Sequence, residues 1–254
     1  MPPITGQSIL VIGGSSGIGA AVAKLAASEG VRVAIASSNP ERVANAVKKI
    51  ESSVPNAQVV GYIIDLSHDD IESRLEKLFI DVTTATGSPL DHIVYTAVSL
   101  GNLMQPLSEV TADSLRTSGQ FGFTGPLLIG KLAPRFLNNS YKSSLTFTGG
   151  RVAEKPVKGY LLGASWGAAL FGITRTLALH LAPLRVNLVS PGATNTELWG
   201  VDEKRAQIDA MVAQSALLGK AGTAEEVAEA YIYLMKDSNN TGTTVSTSGG
   251  SLLQ

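Results

Sequence analysis

The chain has 254 residues, no cysteine, and 20 Lys and Arg against 21 Asp and Glu, for a formal net charge of −1. The lack of cysteine excludes disulfides, thiolate metal sites and a cysteine nucleophile, and a balanced charge without a basic block argues against nucleic acid or an anionic membrane as partner. No apolar run approaches the ~20 residues a bilayer span needs, and Met1 to Gln7 lack the basic and apolar regions of a signal peptide. The expectation is a soluble, cytoplasmic protein with a small-molecule partner.

In chain order, Ser8 to Ile12 is a short β-branched run that ends in glycines, and from Ile18 to Ser28 the spacing turns helical and alanine-rich. That pattern predicts strand, tight turn and helix. Val31 to Ala36 predicts a buried parallel strand, and Asn39-Pro40-Glu41 then opens a helix with proline in its first turn. Val59 to Ile64 predicts a strand, Asp69 to Phe79 a helix, His92 to Ala97 a strand, and Pro106 to about Leu137 a long helical region. Ser144 to Thr148 follows as a strand, Leu161 to Leu181 as a helix, and Arg185 to Val189 as a strand closed by Ser190-Pro191-Gly192. Thr223 to Met235 is amphipathic, and Thr243 to Thr247 makes a last short strand. About seven strands alternating with helices predict a single-domain α/β protein over 1–254, a doubly wound Rossmann-type parallel sheet with helices on both faces.

The segment IGGSSGIG, Ile12 to Gly19, places glycines at 13, 17 and 19 between a strand and a helix. Glycine there lets the backbone approach a pyrophosphate, and the helix N-terminus supplies unpaired N–H groups and a positive dipole. The plainer alternative is a glycine cluster that only closes a tight turn. The Gly-x3-Gly-x-Gly spacing resembles the short-chain dehydrogenase/reductase family. Asp65-Leu66, LRVNLVSPGATNT (Leu184 to Thr196) and TGTTVSTSGG (Thr241 to Gly250) extend the resemblance to the whole chain.

The resemblance implies a dinucleotide held by Gly13, Ser15, Ser16, Gly17, Ile18 and Gly19. It also implies adenine contacts from Asp65 and Leu66, flanking contacts from Thr96 and Ala97, and nicotinamide contacts from Pro191, Gly192, Thr194 and Thr196. A site that prefers NAD carries an acid after the second strand. Here that place reads Ser37-Ser38-Asn39, with Arg42 one helical turn on. The missing carboxylate and the available donors favour NADP(H) over NAD(H), although Arg42 also reads as an ordinary solvated helix residue.

Members of this family polarise a carbonyl with a serine and a tyrosine, lower the tyrosine pKa with a lysine four residues on, and support a relay water with an asparagine. Hydride addition creates an alkoxide that those groups protonate or hold. Aligned on the Thr-Arg and Leu-Ala-Pro-x-Arg-Val-Asn landmarks, the tyrosine falls on Gly163 and the lysine on Gly167. The serine falls on Gly149 or Gly150, with the Thr148 hydroxyl nearby, and the asparagine on Phe121 or Gly122. Tyr95 to Val98 stands where the family has Asn-Asn-Ala-Gly. The nucleotide-binding half of the pattern is present and the acid–base half is not.

Three readings follow. The first is hydride transfer to a substrate that is already cationic, such as an iminium, where no acid is needed and positioning carries the rate. Glycines at 163 and 167 would then open volume for a bulky polycyclic substrate. The second is a cyclase or isomerase in which the dinucleotide forms a pocket wall beside Tyr95, Phe121, Tyr160 and Trp166. The chain also resembles a fungal branch of the family, through IGG-x-SGIG, ASSNP, FT-x-P, LRVNLVSPGA and VAEAYIYLMKD, in which an indole-alkaloid iminium reductase guides a Diels–Alder closure. The aspartate and arginine that serve that reaction fall near Val157 and Gly122, and neither is retained. The third reading is a non-catalytic dinucleotide sensor.

Tyr160 is a candidate acid or a pocket-rim aromatic, Trp166 a stacking residue or packing. Arg151, Lys155 and Lys158 are candidate anion binders or a solvated loop. His68, His92 and His180 lack ligand spacing, so no metal site is expected. The small-residue helix around Gly163 and Ala169 corresponds to the family's main subunit interface, which implies a homodimer or homotetramer.

Overall fold

A computed structural model describes residues 1–98, 103–200 and 202–254. Seven strands form one parallel sheet. In chain order they are β1 (Ser8–Ile12), β2 (Arg32–Ser37), β3 (Val59–Ile63), β4 (His92–Tyr95), β5 (Ser144–Thr148), β6 (Arg185–Pro191) and, near the end, β9 (Thr244–Thr247). Their spatial order is β3-β2-β1-β4-β5-β6-β9, and a separate two-residue ladder joins β7 (Thr194–Asn195) to β8 (Gly222–Thr223).

The apolar runs are continuous because both faces of the sheet are covered. Leu10, Ile12, Ile93, Tyr95, Leu145, Phe147 and Leu188 point into one core. It is closed by α3 (Ile71–Thr86), α5 (Gly125–Phe136) and α6 (Leu161–Leu181). Ile9, Val11, Val33, Ile35, Val94 and Val189 point into the other, beneath α1 (Gly17–Ser28), α2 (Pro40–Ser53) and α8 (Ala224–Lys236). The order reverses between β1 and β4, which pair Ile12 with Tyr95. Rossmann-type sheets bind dinucleotides in the crevice outside the carboxyl ends of strands at such a switch point.

The long helical region predicted from Pro106 is divided. A 3₁₀ turn (Leu107–Glu109) precedes α4 (Ala112–Gly119), which runs through a π turn (Gln120–Thr124) into α5. Pro126 has no N–H to complete an α-type bond to residue 122, and the ladder widens just before it. The Phe121 carbonyl at this widening accepts the Tyr95 hydroxyl at 2.9 Å. One helix, α7 (Asp202–Gln214), and the β7–β8 ladder have no counterpart among the predicted elements. None of the described α7 side chains is buried, so the segment lacks the apolar stripe that periodicity detects.

The Arg-Val-Asn landmark has a structural role. The buried Arg185 guanidinium donates to the carbonyls of Tyr141, Leu234 and Met235, the last two in the final turn of α8. Asn187 donates to the Asn240 carbonyl and accepts from the Thr243 N–H. Together they tie β6 to the segment that leads into β9.

Candidate active site

The glycine turn fits its surroundings closely. Gly13 adopts φ +94, and a Cβ there would lie 2.6 Å from Thr96 Oγ1 and 2.7 Å from the Ala97 nitrogen. A Cβ on Gly19 would press into the Gly13 carbonyl and come within 2.5 Å of Thr96 Oγ1. The first turn of α1 therefore sits directly on the end of β4, an approach only glycine permits. Ser16 is the N-cap of α1 but makes no side-chain cap bond, and the helix has no acidic residue in its first turn. A glycine cradle leading into N–H groups that Ser16 leaves uncapped suits a pyrophosphate.

The other expected cofactor residues line the same carboxyl edge. Ser37 ends β2, Ser38 is exposed, and Asn39 caps α2 by accepting the Arg42 N–H at 2.9 Å. The Arg42 side chain is exposed and makes no ion pair with any described residue. Asp65 follows β3, where its Oδ1 accepts the backbone N–H and hydroxyl of Ser67. The Ser67 N–H holds this carboxyl below its ordinary pKa, with His68 adding a smaller pull. Leu66 is buried beside it. Thr96 and Ala97 follow β4, and Pro191 and Gly192 close β6. The Thr194 hydroxyl donates to the Gly192 carbonyl at 3.1 Å, and Thr196 reaches across to Gly17. Ile18 lies partly buried in the first turn of α1, next to Gly17. These residues fit a nicotinamide dinucleotide, since Gly13, Gly17 and Gly19 put no side chain of their own in the cradle and the donors converge on one edge.

On the catalytic side the structure places several expected residues elsewhere. Thr148 donates to the Tyr95 carbonyl at 2.8 Å and pairs with the Tyr231 hydroxyl at 2.6 Å, so its hydroxyl is engaged inside the fold instead of facing a substrate. Tyr95 is only 2% exposed and its phenol is pushed up in pKa by burial, which places it in the core and not in a pocket wall. Trp166 donates from Nε1 to Ser118 Oγ at 2.9 Å and lies on Gly119 and Gly122, where its indole packs helix on helix. A Cβ on Gly122 would strike the Trp166 side chain, with Cγ at 2.9 Å. The asparagine position is thus closed by an aromatic neighbour, and the adjacent Phe121 carbonyl is taken by Tyr95.

The volume freed at the other two positions is partly reoccupied. Leu103 lies over Gly163, where a Cβ would meet it at 3.7 Å. Ala153, in the 3₁₀ turn Arg151–Ala153, drops toward Gly167 and would stand 3.0 Å from a Cβ there. Gly150 is more open, with nothing nearer than 3.9 Å to a Cβ. Tyr160, half-buried at the N-cap of α6, stays at the rim of this region. Arg151, Lys155 and Lys158 follow β5 without an ion pair among the described residues.

A family model described as an SDR-like Rossmann domain matches residues 3–254. The chain belongs to the short-chain dehydrogenase/reductase family. It is 56% identical over 256 residues to the short-chain dehydrogenase/reductase ATR9 of Stachybotrys chlorohalonatus, with 100% of each chain covered. The MalC reductase/Diels–Alderase of Malbranchea aurantiaca superposes with a TM-score of 0.91 at 36% identity, covering 98% of this chain and 97% of that one. A short-chain dehydrogenase from Burkholderia cenocepacia, solved in complex with NADP, gives a TM-score of 0.85 at 27% identity, with 98% and 99% covered.

Three polar contacts beside the site of this short-chain dehydrogenase/reductase were not legible in its sequence. Glu197 Oε2 accepts the Gly17 N–H at 3.0 Å, although 180 positions separate the two residues. Glu154 accepts the hydroxyl of buried Ser190 at 2.7 Å and anchors the turn that carries Ala153. Asn195 donates to Asp209 Oδ1 at 2.9 Å and accepts from Arg205 Nε, which fastens α7 to β7. None of these contacts has a sequence signature, because each joins loops that only the fold brings together. Among the described residues, no helix is long and apolar enough to cross a membrane.

Proposed function

We propose that this short-chain dehydrogenase/reductase is a cytoplasmic NADP(H)-dependent oxidoreductase of specialised metabolism that reduces a bulky polycyclic substrate already carrying positive charge, such as an iminium. The observation that carries this reading is the contrast between an intact glycine cradle and glycine at both the tyrosine and lysine positions, Gly163 and Gly167. When bound, the dinucleotide supplies a hydride. Delivery to a neutral carbonyl would leave an alkoxide that needs a proton donor. Thr148 and Tyr95 are turned into the fold, Trp166 is bonded to Ser118, and Tyr160 at the rim has Ala164 and not a lysine four residues on. Delivery to an iminium neutralises the charge and needs no donor. The chain's own work is then to hold and orient the reactants and to exclude water.

The preference for NADP(H) rests on Ser38 just after β2 and Arg42 in the first turn of α2, with no carboxylate at the end of β2 to oppose a 2′-phosphate. A homo-oligomer fits the exposed Leu161 and Leu179 of α6 and Leu127 of α5. Purified protein mixed with NADPH and a cyclic iminium should oxidise the cofactor well above its background rate, while a neutral ketone of the same skeleton should not. Background oxidation with every iminium tested, despite measurable NADPH binding, would refute hydride transfer and leave the sensor reading.

A second reading is supported by the MalC relative, whose name joins reductase and Diels–Alderase. In it the bound dinucleotide and the neighbouring side chains shape a pocket that favours one cyclisation. It predicts that adding the protein with NADP⁺ shifts the product ratio of a spontaneous intramolecular cycloaddition. An unchanged ratio with and without NADP⁺ excludes it.

A further inference from the structure

Glu197 reaches α1 from the far side of the site. It opens the 3₁₀ turn Glu197–Trp199 after β7, and that turn is closed by the Trp199 N–H to the Thr196 carbonyl at 3.1 Å and the Gly200 N–H to the Glu197 carbonyl at 3.1 Å. Beside it Thr196 is buried and packs on Gly17, where a Cβ would lie 3.3 Å from Thr196 Cγ2. Gly17 is the first residue of α1 and has φ +52. Its N–H is met neither by Ser16 nor by an acid in the helix's own first turn, but by the carboxylate of Glu197. An anion at this point is favoured by the helix dipole and the unpaired N–H groups.

A dinucleotide pyrophosphate calls on the same feature. One N–H does not serve two anions at once, and a carboxylate left beside a pyrophosphate repels it. We propose that Glu197 is a built-in competitor for the pyrophosphate. It holds the N-terminus of α1 before cofactor binds, and cofactor binding displaces it. Glu197 therefore lowers cofactor affinity and links cofactor occupancy to the position of the 197–200 turn. Asn195, two residues upstream, is bonded to Arg205 and Asp209, so the displaced segment is continuous with the strand that carries α7. Cofactor entry is thereby coupled to the position of α7.

This inference rests on the dinucleotide-binding reading, and calorimetric titration separates the two. E197Q keeps the side-chain length and removes the charge, and E197A removes the contact altogether. Relative to the unsubstituted protein, both should bind NADPH about 2- to 30-fold more tightly, the range that follows from the strength of a charge at a helix N-terminus. Inorganic pyrophosphate should shift in the same direction. Adenosine 2′-monophosphate, which lacks the pyrophosphate, should stay within about 2-fold. Equal or weaker NADPH binding by both variants overturns the competition. So does an equal gain for all three probes, since that reports only a change in overall charge. If no form binds NADPH, the dinucleotide reading fails and this inference fails with it. If E197A does not fold, E197Q alone decides, because it retains an acceptor for the Gly17 N–H.

Discussion

Two sets of glycines meet across the carboxyl edge of the sheet, and they are glycine for different reasons. At Gly13 and Gly19 a Cβ would strike backbone atoms, namely the Ala97 nitrogen and the Gly13 carbonyl, which cannot move without dismantling β1 or β4. At Gly163 and Gly150 a Cβ meets nothing closer than 3.7 Å and 3.9 Å. Gly122 and Gly167 lie between these extremes, pressed by the Trp166 and Ala153 side chains. The first set is dictated by close approach of the backbone. In the second, the serine and tyrosine positions carry glycine without a steric demand for it. The packing of α1 on β4 thus holds the cradle open, whereas positions 150 and 163 could carry the side chains of acid–base chemistry and do not.

The largest effect is expected at the cofactor turn. Gly19→Ala should weaken NADPH binding more than about 100-fold, because the new methyl group displaces the end of β4 from the first turn of α1, and calorimetric titration would show it. Next comes Gly122→Ala, which forces Trp166 off α4 and the π turn. A loss of about 1–3 kcal/mol in denaturant unfolding is expected, with NADPH affinity unchanged. Arg42→Ala should weaken NADPH about 10-fold and leave NADH unaltered, the signature of one lost charge-assisted contact to a 2′-phosphate. Equal losses for both cofactors would contradict the NADP(H) preference. The smallest effect is expected for Gly163→Ala. With only an ordinary van der Waals contact to Leu103 and the gain in helix propensity, it should stabilise the protein by about 0.5 kcal/mol. If it instead destabilises by more than about 1 kcal/mol, the contrast between the two glycine sets does not hold at this position.

Much of the fold was readable because its signals are local. Ser8–Ile12 and Ser144–Thr148 are strands at the boundaries their apolar runs predict, and α6 runs from Leu161 to Leu181 as its spacing predicts. Where the signal is not local, the reading failed. The helix α7 has no apolar face, and the division of the region after Pro106 reflects Pro126 and the Tyr95 hydroxyl acting together on the Phe121 carbonyl. Tyr95, Thr148 and Trp166 each carry a functional group that chemistry could use. Whether the group faces the cleft or the core depends on strand register and helix rotation, and a one-residue change in either reverses it.

The sequence by itself determined the doubly wound architecture and the glycine cradle, which are written in the types and spacing of residues close together in the chain, while glycine at the tyrosine and lysine positions is what the family resemblance implies. Only the tertiary structure decided what surrounds the vacated positions: Leu103 over Gly163, Ala153 against Gly167, Trp166 on Gly122 and Glu197 on the N-terminus of α1. These are contacts between segments far apart in sequence. The physical reason they stayed out of reach is that long-range neighbours are selected by packing and by the demand that buried or helix-terminal polar groups find partners, and neither leaves a pattern along the chain.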